Sequence, residues 1–351
     1  MALVKNIKNV VIQNLVKNMN KKIWKEIKKA KSILLCLHPS PDGDSIGSNL
    51  ALYHLLSKMG KKVTLIGGDS EFPKNFLTIP GIDKILPKNF FQINQDDFDL
   101  FILLDIAALK QISRQGEVII SKNLKTIVID HHRSNPKFAD INLVDANIPA
   151  TCQLIYNFFQ DNKLKITKNI AACLFVGIYT DTGGFKYINT THKTFSAATN
   201  LSKIYPGFNK LIFDIENNEH PDRLKFLSLM LGSVKTYLGG KVAIASIDFE
   251  TLKESGLDNS VINGSEIANL VKTVTGWEIG ICMIEFQPNS VKINFRTRDA
   301  DKYDLTKISA TVGGGGHRSA AGATINEPLA KATDILLKNI KSLFPKIEKE
   351  K

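Results

Sequence analysis

The sequence predicts an α/β protein. A doubly wound, mostly parallel sheet forms the N-terminal domain, and a helical connector joins it to a smaller α/β C-terminal domain. Three observations predict this. Short apolar runs alternate with helical patterns through the first half of the chain, the Pro-Gly punctuation of YPGFNK interrupts the pattern at 205–210, and a second alternation begins at 241. Strands separated by helices need crossover connections, so they pair in parallel. The predicted domains are 1–204 and 239–351, with the connector over 205–238.

The elements follow in order. The basic N-terminal stretch carries Val11, Leu15, Met19, Ile23 and Ile27 at intervals of four, which fits a helix docked on its own domain with a solvated lysine face. A membrane-surface or nucleic-acid helix is the alternative. SILLCL at 32–37, KVTLI at 62–66, FDLFILLDI at 98–106 and TIVIDHH at 126–132 read as buried strands. Helices are expected near 45–59, 149–161, 168–180 and 190–203. In the second domain, 241–248 reads as a strand and 266–276 as a helix. EIGICMIEF and SVKINFRTR form a hairpin around Gln287-Pro288-Asn289, and a last helix lies near 328–343.

Composition narrows the function classes. The 351 residues are 43% hydrophobic and 23% charged, ordinary for a globular chain with room for two domains. No apolar run approaches the roughly 20 residues of a bilayer span, and the N-terminus lacks the apolar core of a secretory signal. Cys36, Cys152, Cys173 and Cys282 show no CxxC spacing and read as core thiols of a reduced, cytoplasmic protein. The net charge of +12 favours anionic partners, but it comes from 40 lysines and only 6 arginines, so much of it reflects lysine usage. The arginines say more. Arg296, Arg298 and Arg318 fall within 23 residues of one another, and arginine is the better fork for phosphate.

Chemistry gathers where the predicted strands end. The first runs into His38-Pro-Ser-Pro-Asp42-Gly-Asp44, another ends at Asp105, and another at Asp130-His131-His132. The carboxyl ends of parallel strands form the ligand crevice of an open sheet, so three strands deliver His and Asp to one rim. Each alone has a bland explanation: an Asp after a strand is usually a turn residue or an N-cap, and Asp44 could also cap the following helix. Together they place imidazole and carboxylates on short loops, where adjacent carboxylates need cations or several N–H donors. Such a mixed set suits Mn²⁺ or Mg²⁺. Asp181 ends the apolar run ACLFVGIYTD, near the negative pole of a helix, where a nearby cation would explain it. The GGGGH run at 313–317 reads either as a loose loop or as backbone that approaches a phosphate or base closely. No ATP-binding or dinucleotide-binding glycine pattern is present.

These motifs resemble the DHH phosphoesterase superfamily: HPSPDGDSIGS, Asp105, Asp130-His131-His132 and Tyr179-Thr-Asp-Thr182, followed by Phe295-Arg-Thr-Arg298 and Gly313-Gly-Gly-Gly-His317 of a DHH-associated domain. The resemblance runs from about 30 to 345 and is nearest to the bacterial nano-RNase and pAp-phosphatase subgroup. It implies two divalent cations, Mn²⁺ ahead of Mg²⁺. One would be held by His38, Asp42, Asp105 and Asp181, the other by Asp44, Asp105, His131 and Asp181. Asp130 and His132 would orient His131 and contact the phosphate. It further implies that Arg296, Arg298, Gly313, Gly314, Gly315, Gly316, His317 and Arg318 bind substrate.

The resemblance implies hydrolysis of short oligoribonucleotides or dinucleotides to 5′-mononucleotides, with pAp 3′-phosphatase activity alongside. A cyclic-dinucleotide phosphodiesterase is the alternative within the enzyme class, and a catalytically idle nucleotide- or RNA-binding module is the alternative outside it. The expected partners are short RNA or small nucleotides and no membrane, with a homodimer left open.

Overall fold

The computed structural model describes residues 2–70, 72–218 and 220–349, with side chains from Asn14 onward. It divides into two compact units after Asn218. No described helix is long and apolar enough to cross a membrane.

The first unit opens with helix α1 (Ala2–Lys29). Ile23 and Ile27 of α1 are buried and Met19 packs beside them, while Leu15 is exposed. The Val11 side chain lies outside the described residues. Strands β1 (Ser32–Cys36), β2 (Lys62–Ile66), β3 (Ile85–Leu86), β4 (Leu100–Leu104), β5 (Lys125–Asp130) and β6 (Ile141–Val144) form one sheet in the order β3-β2-β1-β4-β5-β6, parallel throughout. The order reverses between β1 and β4, which makes that junction the topological switch point.

Alternate residues of the central strands enter different cores. Ile33, Leu35, Ile102, Leu104, Ile127 and Ile129 join the helical side, and Leu34, Cys36, Phe101, Leu103 and Val128 join the other. Burial on both faces is why these strands read as unbroken apolar runs. Helices α2 (Gly43–Lys58), α3 (Thr151–Asp161), α4 (Lys168–Asp181), α5 (His192–Ile204) and α6 (Phe208–Glu216) pack on the first side. The second side is covered by short turns and loops around Phe90, Ile112, Val118 and Leu124. All four cysteines are free and buried.

The span 205–238 supplies one helix to each unit. Leu211 of α6 enters the core of the first, while Phe226 and Met230 of α7 (Pro221–Gly232) enter that of the second.

The second unit is a mixed sheet in the order β11-β12-β10-β9-β8-β7. Its strands are β7 (Lys235–Tyr237), β8 (Val242–Ile247), β9 (Ile279–Gln287), β10 (Ser290–Thr297), β11 (Gly315–His317) and β12 (Ala320–Ile325). Only the β8–β9 pair is parallel. Helices α8 (Phe249–Glu254) and α9 (Gly264–Val271) lie on one side with α7, and α10 (Leu305–Ala310) and α11 (Leu329–Leu343) lie on the other. The β9–β10 hairpin turns at Asn289, which adopts φ 61°. The GGGGH run is not a loose loop: Gly315–His317 pair with β12 as the edge strand.

Candidate metal centre

The switch point of the first sheet carries the ligand cluster. His38 lies two residues beyond β1, and its Nδ1 contacts the Pro39 carbonyl at 3.1 Å. Donation to that carbonyl leaves Nε2 to face the carboxylates, 3.6 Å from Asp105 and 3.8 Å from Asp42. Asp105 follows β4 in the left-handed region at φ 60°, a conformation disfavoured for a residue with a side chain and kept here at the rim itself.

His131 leaves the end of β5. Its Nε2 lies 3.1 Å from Asp181, 3.4 Å from Asp105 and 3.9 Å from Asp44. Asp181 is the final residue of α4. The potential ligand atoms of His38, Asp42 and Asp105 lie within 4.8 Å of one another, as do those of Asp44, His131 and Asp181, and those of Asp105, His131 and His132.

Two expectations change. Asp44 does not cap α2; Asp42 does, accepting from the N–H groups of Asp44 and Ser45 at 3.0 Å each. Asp44 sits inside the first turn, fully buried, and accepts from Thr151 N at 2.6 Å and Cys152 N at 2.7 Å, the orphan donors at the start of α3. Asp130, expected to orient His131, instead bonds its neighbour: its carboxylate accepts from His132 Nδ1 and from Asn135 Nδ2, each at 2.7 Å. The β5 register turns the Asp130 side chain into the core, where Asn135 meets it.

Thr151 escaped the sequence reading. Its hydroxyl donates to Asp105 at 3.1 Å while its amide holds Asp44, so one residue orients two carboxylates. The only local signal was its place at a predicted helix start.

Close packing of α2 and α4 sets the position of Asp181. A Cβ on Gly47 would stand 2.4 Å from the Cys173 carbonyl, and one on Gly177 would stand 2.2 Å from Cys152 Sγ and 2.7 Å from Asp44 Oδ1. Only glycine permits that approach.

The electrostatics fit divalent cations. Burial, then the charges of Asp105 and Asp181, push the Asp44 carboxyl well above its usual range. Burial likewise raises Asp181 against the pull of His131. Burial opposes ionisation of Asp105 too, but hydrogen bonds from His131 and His38 hold it below the ordinary carboxylate range. Burial alone would lower both imidazoles. Neighbouring carboxylates outweigh it and raise His38 to about 10 and His131 to about 11. His132 is raised first by Asp130, against burial. Three crowded carboxylates that depend on imidazolium protons for compensation form a set that cations would satisfy, and the oxygen-plus-imidazole donors suit Mn²⁺ or Mg²⁺.

The substrate residues expected in the second unit separate into two groups. His317 pairs with Ala320, and Ala320 pairs with Arg296, so Arg296 and His317 occupy one row and share a face of the sheet. Arg296 also donates to Ser265 Oγ and, at 2.8 Å, to the Phe295 carbonyl. Lys272, missed by the sequence reading, lies near both Arg296 and Arg298: burial first, then their charges, holds its amine below the usual range. Arg298 donates to the carbonyls of Lys272, Thr273 and Val274 at 3.0–3.3 Å, closing the turn after α9. Arg318 pairs with Asp301 and Asp304. Gly313 adopts φ 72°, and Cβ atoms on Gly314 and Gly316 would stand 2.3 Å and 2.6 Å from carbonyls of β12.

Comparison with known proteins agrees with this architecture. Residues 32–178 match the DHH family, N-terminal domain, and residues 239–346 match the DHHA1 domain. The chain is 28% identical over 305 residues to the bifunctional oligoribonuclease and PAP phosphatase NrnA of Thermus thermophilus, covering 84% of each protein. It is 27% identical over 304 residues to the protein of the same name from Mycoplasma genitalium, covering 85% of this chain and 90% of that one. The crystal structure of an exopolyphosphatase-related protein from Bacteroides fragilis superposes with a TM-score of 0.81 at 24% identity, covering 95% of this chain and 98% of that chain; it shares the fold.

Proposed function

The chain carries a DHH N-terminal domain and a DHHA1 domain, and from that premise we propose that it is a metal-dependent phosphoesterase of short nucleotides. In this reading it hydrolyses oligoribonucleotides a few residues long to 5′-mononucleotides and removes the 3′-phosphate of pAp. One observation carries the reading: six side chains able to ligate metal, from three strand ends and one helix end, converge at the switch point of the sheet. The relatives' names, oligoribonuclease and PAP phosphatase, support the choice of substrate. An idle binding module has no use for so complete a set of metal-ligating side chains.

In this proposal His38, Asp42 and Asp105 would hold one cation, and Asp44, His131 and Asp181 the other, with Asp105 lying close to both His38 and His131. Divalent cations held there, Mn²⁺ ahead of Mg²⁺ because imidazole is in the set, supply the Lewis acidity that acidifies a water and offsets phosphoryl charge. The chain's own residues do the rest. Thr151 and the start of α3 fix the carboxylates before substrate arrives. Asp130 anchors His132 through Nδ1, so Nε2 of its half-exposed ring can donate to a phosphate oxygen. Arg296, His317 and Lys272 bind the nucleotide portion, and the glycines before His317 admit its backbone contacts. Arg298, which holds three carbonyls, and Arg318, which is neutralised by two carboxylates, contribute less.

The test is one side-by-side assay. Chelated protein is reloaded with Mn²⁺ and given pAp, pApA, a pentaribonucleotide, a thirty-residue RNA and cyclic di-AMP. Fast turnover of the first three supports the proposal. Equal rates on the pentamer and the long RNA point to a processive nuclease, and preference for cyclic di-AMP points to the cyclic-dinucleotide alternative. Hydrolysis indifferent to chelation sinks the metal mechanism.

A further inference from the structure

We propose that Arg114 is a substrate-binding residue. Its guanidinium, on the rim beside the His38–Asp44 loop, grips a nucleotide phosphate other than the one hydrolysed. The proposal rests on the phosphoesterase reading and names one determinant of its specificity.

Arginine is rare in this chain, and the first 218 residues contain only Arg114 and Arg133. Both lie on loops at the rim that carries the ligand cluster: Arg133 follows His132 directly, and Arg114 lies on the loop after β4. The backbone of Arg114 is firmly held. Its N–H donates to Asp69, and the Ser113 hydroxyl donates to the same carboxylate at 2.8 Å.

The side chain is differently placed. It is exposed, and it reaches across to Ser40 Oγ at 3.3 Å and to the Pro39 carbonyl at 3.5 Å. That carbonyl is the one His38 Nδ1 contacts, so the guanidinium sits two hydrogen bonds from a proposed metal ligand. No carboxylate pairs with it among the described residues. A guanidinium has five N–H donors, and these contacts engage one on each of two nitrogens, leaving three.

Bracing the loop does not account for this placement. Contacts of 3.3 and 3.5 Å are at the weak end for hydrogen bonds, and the loop has stronger supports. Ser40 N donates to Ser70 Oγ at 2.7 Å, and Asp42 caps α2 at 3.0 Å. A planar, permanently charged fork with spare donors, beside the proposed phosphoesterase centre and without a carboxylate partner among the described residues, matches a phosphate oxyanion. Its offset from the ligand atoms suits a neighbouring phosphate and not the reacting phosphorus. Both proposed substrate types carry one: pAp has a 5′-phosphate besides the 3′-phosphate removed, and a 5′-phosphorylated dinucleotide has a terminal phosphate beside the scissile diester.

The test is equilibrium binding of pAp and of adenosine 3′-phosphate to the full chain, with Ca²⁺ in place of the catalytic ion. The wild-type protein should bind pAp about ten- to a hundredfold more tightly, the contribution of one charge-assisted phosphate contact. Arg114→Ala should bring that ratio close to one while leaving affinity for adenosine 3′-phosphate unchanged. Arg114→Lys should keep part of it, and Lys110→Ala, on the same loop, all of it. A wild-type ratio near one overturns the proposal, as does a ratio that survives Arg114→Ala. If Arg114→Ala weakens Ca²⁺ and both nucleotides together, the residue is a loop brace and the proposal falls. Hydrolysis with Mn²⁺ is measured on the same samples. A wild-type protein that shows the Arg114-dependent ratio yet hydrolyses neither nucleotide leaves the contact standing and removes the phosphoesterase reading.

Discussion

The amide of Thr151 donates to the carboxylate of Asp44 at 2.6 Å across 107 residues of sequence. That bond, with the Cys152 amide beside it, aims a fully buried carboxylate at the ligand cluster from the start of α3. The Thr151 hydroxyl adds a bond to Asp105. Thr151→Val keeps the amide and the shape but removes the hydroxyl. It should weaken Mn²⁺ binding about tenfold or more, as loss of a partner behind a metal ligand typically does, with little change in Tm. Mn²⁺ titration of the folded variant checks this; unchanged affinity would show that Asp105 needs no such support.

Gly177→Ala should be far more damaging than its one methyl group suggests. The new Cβ would meet Cys152 Sγ at 2.2 Å and Asp44 Oδ1 at 2.7 Å, so the Asp44 carboxylate, the start of α3 or α4 itself must shift, and the ligand cluster with it. Overpacking of this kind costs about 1–3 kcal/mol. Thermal unfolding should register that loss, and Mn²⁺ affinity should fall with it. A variant with wild-type Tm and metal affinity would mean that these neighbours give way without disturbing the cluster.

Metal uptake should release protons. In the metal-free fold His38 is raised to about 10 and His131 to about 11 because nearby carboxylates outweigh burial. These folded values exceed the ordinary 6.5, so their stabilisation of the metal-free fold is fully present below that pH and is lost as pH rises through about 10 to 11. Ligation needs neutral imidazoles. Apparent Mn²⁺ affinity should therefore climb between about pH 6.5 and 8.5, by up to about tenfold per unit for each proton displaced. Calorimetry in two buffers of different ionisation enthalpy counts the protons, and a count of zero contradicts the assignment.

In the second unit, three substitutions should part ways. Arg296→Ala and His317→Ala should lower kcat/KM on pApA about ten- to a hundredfold, yet leave a small aryl phosphodiester near its wild-type rate. Arg298→Ala should instead lower Tm, since its guanidinium satisfies three carbonyls after α9. Equal losses on both substrates for Arg296→Ala and His317→Ala would assign those residues to the chemical step or to folding.

Much of the fold was legible because the central strands are buried on both faces and end in His or Asp. Local pattern could not say which of Asp42 and Asp44 caps α2. The choice depends on amide donors at Thr151 and Cys152 that arrive only through tertiary packing. The GGGGH run reads as a loop by composition, and its strand pairing exists only because β12 lies alongside. Arg298 drew attention as one of few arginines, but nothing in sequence marks the carbonyls of Lys272, Thr273 and Val274 as its partners. Strand β6 and residue Thr151 gave no local signal strong enough to single them out.

In the proposed mechanism, carboxylates at the sheet's switch point hold the cations that drive phosphoester hydrolysis. Asp105 groups with His38 and Asp42 on one side and with His131 and His132 on the other, and asparagine preserves its shape and its tolerance of the left-handed backbone. The most direct test is kcat/KM of Asp105→Asn on pApA in saturating Mn²⁺, alongside the wild-type protein with and without chelator. The expected result is a loss of about a thousandfold or more, about 4 kcal/mol of barrier, with wild-type activity abolished by chelation and restored by Mn²⁺. Asp105→Asn activity within about tenfold of wild type would contradict the account.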